Sequence, residues 1–271
     1  MELGEKKIIR IDRQKEIPGF DLITSILLRD NDLNPDDFNK LFPDIFIDKK
    51  LTIYDYLTNY FVPLKETETF INFIMENFDK KICLITDYDV DGILSTVILK
   101  MGLNYIGMKE ENIIYHIPKR IHSYGLSKKL IDRAISNGAE VIITADNGVG
   151  AKDAVEYAIS KGLKVLVTDH HLPVEENVPV GVPIINPKHN GDKFYGISGA
   201  NVVFKLIFEL IKKYTKIEPQ ELFIDDILSE MVVYAAIATV SDLMPMLEEN
   251  RLLVMAAINY INDLKRRGYT D

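Results

Sequence analysis

The chain has 271 residues, 47% of them hydrophobic and 27% charged, the balance of a soluble globular protein able to bury a core. Its one cysteine, Cys83, rules out an intrachain disulfide and suits a reducing compartment, and the charged start MELGEKKIIRID lacks the apolar stretch of a secretory leader. A formal net charge of −9 argues against a broad basic face for coating duplex DNA, but it leaves the partner open, because carboxylates gathered around divalent cations carry such a charge.

Residues 19–60 carry short helical patterns. FDLITSILLRD (20–30) has apolar residues at helical spacing, and Asn34-Pro35-Asp36-Asp37 reads as a cap and first turn. From residue 81 the period changes. The apolar runs CLIT (83–86), IIYHI (113–117), VIIT (141–144) and VLVT (165–168) alternate with helix-length segments near 92–106, 127–137 and 151–161. PIINP (183–187) offers a further strand. Continuous apolar strands separated by helices predict a parallel sheet covered on both faces. After Gly199 the chain reads as helical through ANVVFKLIFELIKKY, DDILSEMVVYAAIATV and ENRLLVMAAINYINDLKRR. The longest apolar run, around Met231–Val240, is far too short to span a bilayer, so a cytoplasmic protein without a membrane partner is expected. The predicted fold is α/β, a doubly wound and mainly parallel sheet with a helical N-terminal lead-in and a helical C-terminal end.

Such sheets bind ligands beyond the carboxyl ends of their strands. Three predicted strands deliver acidic residues there: LIT leads to Asp87, IITA to Asp146, and VLVT to Asp169-His170-His171. One aspartate at a strand end is commonly a helix cap. Three on one edge, with two histidines, point to a site.

DYDVDG (87–92) has three readings. A calcium loop would need a bidentate Glu at its twelfth position, where Ile98 stands, and a helix before it, where a strand is predicted; that reading fails. A phosphatase of the haloacid-dehalogenase type would use Asp87 as nucleophile and Asp89 as acid and base. Asp91 then occupies a Thr or Val position, and TDHH (168–171) has no role. A two-metal hydrolase uses all of these residues, since carboxylates and imidazoles suit paired divalent ions around an attacking water.

DYDVDG, TADNG, TDHH and ATVSDLMPM, in this order and spacing, resemble the motifs of the DHH phosphoesterase superfamily, and within it the RecJ-type single-strand exonucleases. IPKRIHSYGLS (117–127), PIINPKH (183–189), ISGANVVFKL (197–206) and ENRLLV (249–254) extend the resemblance over roughly residues 20–265. It implies a lead-in, residues 1–75, packed on a catalytic domain, residues 76–271, that ends in a long helix. It also implies two divalent ions, Mn²⁺ preferred or Mg²⁺. Asp87 would ligate one ion and Asp89 the other, Asp146 would bridge them, and His170 and Asp242 would complete the second. His171 would face the substrate phosphate, Asp91 and Asp169 would orient ligands, and Arg120 and Tyr124 would hold a neighbouring phosphate and nucleotide. The implied activity is hydrolysis of single-stranded DNA from the 5′ end to mononucleotides, with replication or repair proteins as further partners.

Two departures stand out. The family's Gly-Tyr-Gly is Ser123-Tyr124-Gly125 here, and the sequence stops at Asp271 where RecJ-type enzymes continue into an accessory and a nucleic-acid-binding domain, so a weak grip on long strands is expected. Two alternatives stay open: a phosphodiesterase of short oligonucleotides or cyclic dinucleotides, and a replication scaffold without catalysis. Elsewhere, His116 and Cys83 read as packed strand residues, His122 and His189 as loop residues, and Lys265-Arg266-Arg267 as a solvated helix end.

Overall fold

Five apolar runs become five parallel strands of one sheet among the described residues. In the computed structural model, residues 51–118, 125–215 and 226–268 are described. The expectations for residues 1–50 and for Arg120, His122 and Tyr124 lie outside the described residues. The strands are β1 (Ile82–Thr86), β2 (Ile113–His116), β3 (Val141–Ala145), β4 (Lys164–Thr168) and β5 (Ile184–Ile185). They lie in the order β2-β1-β3-β4-β5, and every pair is parallel. β1 and β3 are buried at all five positions, as expected of strands covered on both faces. β5 is shorter than the run PIINP suggests, because Asn186 turns the chain: its side chain caps the next turn instead of continuing the ladder.

The helices that follow the strands cover both faces. Cys83 and Ile85 point to one face, where they pack with Ile131 and Ala134 of α4 (Lys128–Ser136) and Val155 and Ala158 of α5 (Lys152–Ser160). The alternate residues face α3 (Val90–Tyr105), which packs against α7 (Gly199–Thr215). α3 and α7 meet closely because Gly102 has no side chain: a Cβ there would stand 2.2 Å from Ile207. Thr86 Oγ1 and Thr96 Oγ1 hydrogen-bond at 2.7 Å between β1 and α3.

Two lead-in helices precede the sheet, α1 (Ile53–Asn59) and α2 (Thr67–Glu76). Thr52 and Asp55 form a capping box that starts α1. A four-residue turn, α6 (Pro187–Asn190), follows β5, and α8 (Asp226–Ser241) and α9 (Glu248–Arg266) close the chain's helical end. A buried polar knot joins α1, α7 and α9. Glu249 Oε1 accepts from Tyr56 Oη (2.8 Å) and from Lys205 Nζ, which also donates to Val62 O and lies over the Phe61 ring. Removing one partner would strand a buried charge, at a cost of about 3–5 kcal/mol. Among the described residues, no helix is long and apolar enough to cross a membrane.

Candidate metal centre

The strand order reverses between β1 and β3, and an open parallel sheet forms its crevice at that point, beyond the strands' carboxyl ends. Asp87 follows β1 and Asp146 follows β3, so the two carboxylates flank the crevice. Asp87 is buried, and its Oδ1 accepts the Tyr88 amide at 2.7 Å. Asp89 is exposed and caps α3, accepting the Gly92 amide at 2.9 Å. Gly92 is required for this tight turn: a Cβ would stand 2.4 Å from the Asp87 carbonyl oxygen. Asp91 is buried, and both its oxygens are engaged at 2.7 Å by the amides of Gly199 and Ala200. That clamp ties the first turn of α7 to the first turn of α3.

Asp146 is held in the left-handed region, with φ 58°, a conformation that costs a non-glycine residue about 1–3 kcal/mol. Its neighbour Asn147 keeps it there. The buried Asn147 amide donates to the carbonyls of Ile85 (3.0 Å) and Ala145 (2.9 Å) and accepts from Leu126 N (3.1 Å). One side chain thus stitches the ends of β1 and β3 to the loop before α4.

After β4, Asp169 acts as an organiser. Its Oδ1 accepts from the amides of His170 and His171 and from His171 Nδ1 (2.8 Å), and its Oδ2 accepts from Val149 N (2.8 Å). Burial would raise its pKa, but the bond to His171 and these amides outweigh burial and hold it low. The same bond raises His171, whose side chain is 43% exposed. His170 faces inward. Its Nδ1 lies 2.9 Å from the Ile197 carbonyl, an acceptor only, so Nδ1 carries the hydrogen and Nε2 presents a lone pair. That lone pair meets Asp146 Oδ1 at 3.1 Å and the Oδ2 atoms of Asp91 and Asp242 at 3.6 Å. Asp242 follows α8 and so reaches the sheet's edge from a helical segment.

In their ionised forms all three oxygens are acceptors facing an acceptor, so a shared proton or a bound cation would reconcile them. Among the described residues, His170 Nε2 and Asp146 Oδ1 are both buried without a hydrogen-bond partner. Burial, followed by the charge of His171, lowers the His170 pKa, so a proton there is disfavoured. Burial raises Asp146 well above the carboxylate range, with Asp91 and Asp89 adding to it. It also raises Asp87, Asp91 and Asp242. A group of carboxylates that resists ionisation suits divalent cations, whose charge reverses the penalty. Among the described residues the donor atoms fall into three groups, each within 4.8 Å: Asp87, Asp89 and Asp146; Asp91, His170 and Asp242; and Asp146, His170 and His171. Asp146 and His170 each belong to two groups. The carboxylate and imidazole donors fit hard or borderline divalent metals, and the sharing fits more than one ion.

The crevice thus gathers Asp87, Asp89, Asp91, Asp146, Asp169, His170, His171 and Asp242. Other polar residues stay outside it. Cys83 points into the core beneath α4 and α5, where burial pushes its thiol up to about 12. His116 is buried beside Asn137, 3.3 Å from its amide, and burial lowers its pKa. His189 is exposed. Two supports carry no signal in hydrophobic period. One is Asn147, whose only sequence mark is its place in TADNG. The other is Asn186, whose Nδ2 donates to the His171 carbonyl at 2.9 Å.

Comparison with known proteins bears on the same segments. The chain is 33% identical over 193 residues to the single-stranded-DNA-specific exonuclease RecJ of Escherichia coli, covering 69% of this chain and 33% of that one. It is 30% identical over 192 residues to the exonuclease of that name from Bacillus subtilis, covering 70% of this chain and 22% of that one. It therefore spans at most about a third of the length of these curated relatives. Among solved structures, exonuclease RecJ bound to manganese superposes with a TM-score of 0.64 at 26% identity, over 77% of this chain and 54% of that one. RecJ from Thermus thermophilus in complex with Mn²⁺ superposes with a TM-score of 0.60 at 25% identity, over 77% and 30%. Residues 81–237, more than half of the chain, match the family described as "DHH family, N-terminal domain", and the chain belongs to that family.

Proposed function

We propose that this domain hydrolyses phosphodiester bonds in single-stranded DNA with two divalent cations, Mn²⁺ in preference to Mg²⁺, and that it works as an exonuclease from the 5′ end. The observation that carries the reading is the His170 Nε2 lone pair gathered with the carboxylates of Asp91, Asp146 and Asp242 in one buried crevice, a donor set suited to divalent ions. The kinship with exonucleases that act on single strands supports the choice of substrate. Asp87 would hold one ion and Asp89 the other, Asp146 would serve both, and His170 and Asp242 would complete the second. Bound ions of this kind supply Lewis acidity and lower the pKa of water toward neutrality.

The chain's own residues do the rest. Asp169 fixes the His171 ring through Nδ1 and favours its charged form, so His171 can offset charge growing on the phosphate oxygens. Asp91 holds α7 against the crevice, and Asn147 holds Asp146 in its strained conformation. Arg120 and Tyr124 serve a neighbouring phosphate and nucleotide, stacking on Tyr124 being indifferent to sequence. The complete carboxylate set favours catalysis over a scaffold. Replication or repair proteins are the natural partners, and the buried free thiol suits the cytoplasm.

The test is a time course in Mn²⁺ on 5′- and 3′-labelled single strands and on blunt duplex, with Asp89→Ala as control. Mononucleotides released from the 5′ end and steep salt sensitivity are expected. Equal digestion of blunt duplex, or full activity in Asp89→Ala, would overturn the reading. Activity confined to dinucleotides or cyclic dinucleotides would move the substrate to small molecules.

A further inference from the structure

The crevice has a basic neighbour that the reading above leaves without a task. Lys188 lies in α6, and it and the capping residue Asn186 grip the histidine pair at two backbone points. Asn186 Nδ2 donates to the His171 carbonyl at 2.9 Å, and Lys188 Nζ donates to the His170 carbonyl at 2.5 Å. Lys188 makes no ion pair with a carboxylate among the described residues, although aspartates crowd the same edge. Its ammonium sits against the backbone of a residue whose ring faces Asp91, Asp146 and Asp242, so it lies at the rim of the centre.

Charge balance gives this ammonium a use. Asp169 is matched by His171, which leaves the carboxylates of Asp87, Asp89, Asp91, Asp146 and Asp242. Two divalent ions bring four positive charges against those five negative ones, so the loaded centre still repels an anion. A phosphodiester carries one negative charge. A lysine ammonium has three donors, and the His170 carbonyl takes one. The tether also limits the flexible stem, so less freedom is lost when an anion binds.

We propose that Lys188 is a phosphate-binding residue, whose ammonium, tethered to the His170 carbonyl, takes a non-bridging oxygen of a substrate phosphate beside the histidine pair. The proposal rests on the phosphodiester reading and adds a residue that the reading does not assign. A contact of this kind reads phosphate and not base, so it holds a strand of any sequence.

A purely structural role has a different signature. If Lys188 only braced the His170 carbonyl, a neutral donor would replace it and its loss would loosen the metals. The experiment is equilibrium binding of a fluorescent oligothymidylate in Ca²⁺ at several salt concentrations, for wild type, Lys188→Met, Lys188→Gln and Lys188→Arg. Calorimetric titration with Mn²⁺ accompanies it. Lys188→Met and Lys188→Gln are expected to bind the strand roughly tenfold or more weakly, the scale of a lost charged hydrogen bond. Their log K against log salt is expected to be shallower by about 0.7, the loss of one phosphate contact on a single strand. Lys188→Arg keeps the wild-type slope, and no variant loses Mn²⁺ affinity. Equal slopes, wild-type behaviour of Lys188→Gln, or loss of Mn²⁺ in Lys188→Met would each overturn the assignment. A wild type that binds with the expected slopes but does not cut would sink hydrolysis and keep Lys188. Cutting with an unchanged slope in Lys188→Met would do the reverse. A wild type that binds no strand would sink both.

Discussion

Gly199 stands so close to Asp146 that a Cβ on it would lie 2.7 Å from the Asp146 Cβ and 2.8 Å from its Oδ1. The same Gly199 donates its amide to Asp91. The first turn of α7 therefore fixes two carboxylates at once, by contact on one side and a hydrogen bond on the other. Gly199→Ala must push Asp146 or the helix away. The expected result is a stability loss of about 1–3 kcal/mol, as for overpacking elsewhere, together with weakened Mn²⁺ binding. Thermal melting and calorimetry check it; a variant with native metal affinity would show that the close approach is dispensable.

Asp146→Asn separates stability from function. Asparagine tolerates the left-handed backbone and keeps the shape of the side chain, but it brings no charge into the buried cluster. The metal-free variant is expected to be more stable than metal-free wild type by about 0.5–2 kcal/mol, a gain of the kind seen when a functional group is removed. Wild type is expected to bind two Mn²⁺ ions and the variant neither tightly. Chemical denaturation and metal titration test the pair of effects, and one site surviving intact would refute the bridging role.

The two histidines should fail differently. His170 offers a lone pair to the cluster, so His170→Ala is expected to weaken metal binding. His171 is held by Asp169 at the rim, so His171→Ala is expected to keep the metals and lose turnover by roughly 10²–10³-fold, the scale of a lost oxyanion donor. Parallel loss of metal in both variants would mean that the roles are wrongly divided.

Proton and metal compete for the same oxygens, and the sign of the pH dependence follows. The Asp91 carboxyl is raised to about 6, chiefly by burial, and Asp146 is raised further. A carboxyl raised in the folded state contributes stability below its unfolded pKa, and that contribution fades as pH rises through the folded value. The metal-free protein should therefore lose this contribution from about pH 4 upward through pH 6. Cations replace the lost protons, so the rise in Tm given by Mn²⁺ should widen from acid to neutral pH. Melting curves across that range with and without Mn²⁺ are the check. A gap that narrows with pH would contradict the picture, and Asp146→Asn should flatten it.

The strands and their acidic ends were legible because a fully buried parallel strand is a continuous apolar run, and the run stops where the carboxylate begins. Helix bounds agreed within a residue or two for the same reason: α4 and α5 each end where the apolar stripe ends. β5 was overread, since Asn186 has a cap's chemistry while PIINP has a strand's composition. Asp242 could be found only through motif resemblance, because a residue just past a helix end announces nothing by period. Asn147, Asn186 and Lys188 were illegible for another reason. Each acts by reaching a backbone carbonyl far along the chain, and only the folded sheet brings those carbonyls within reach.

Sheet topology also orders events in time. β1, β3 and β4 carry their acidic and imidazole groups to the edge as soon as they pair, and all are complete by Thr168. Gly199 and Ala200, which clamp Asp91, come later, and Asp242 later still. A ribosome that has threaded out the whole sheet has therefore made an unfinished pocket. The last carboxylate emerges only with the end of α8, next to the helix that locks Tyr56 and Lys205 to Glu249. A centre built this way lacks a carboxylate in any chain that stops short of Asp242, so the cluster closes only when the sheet and the helices after it have both formed.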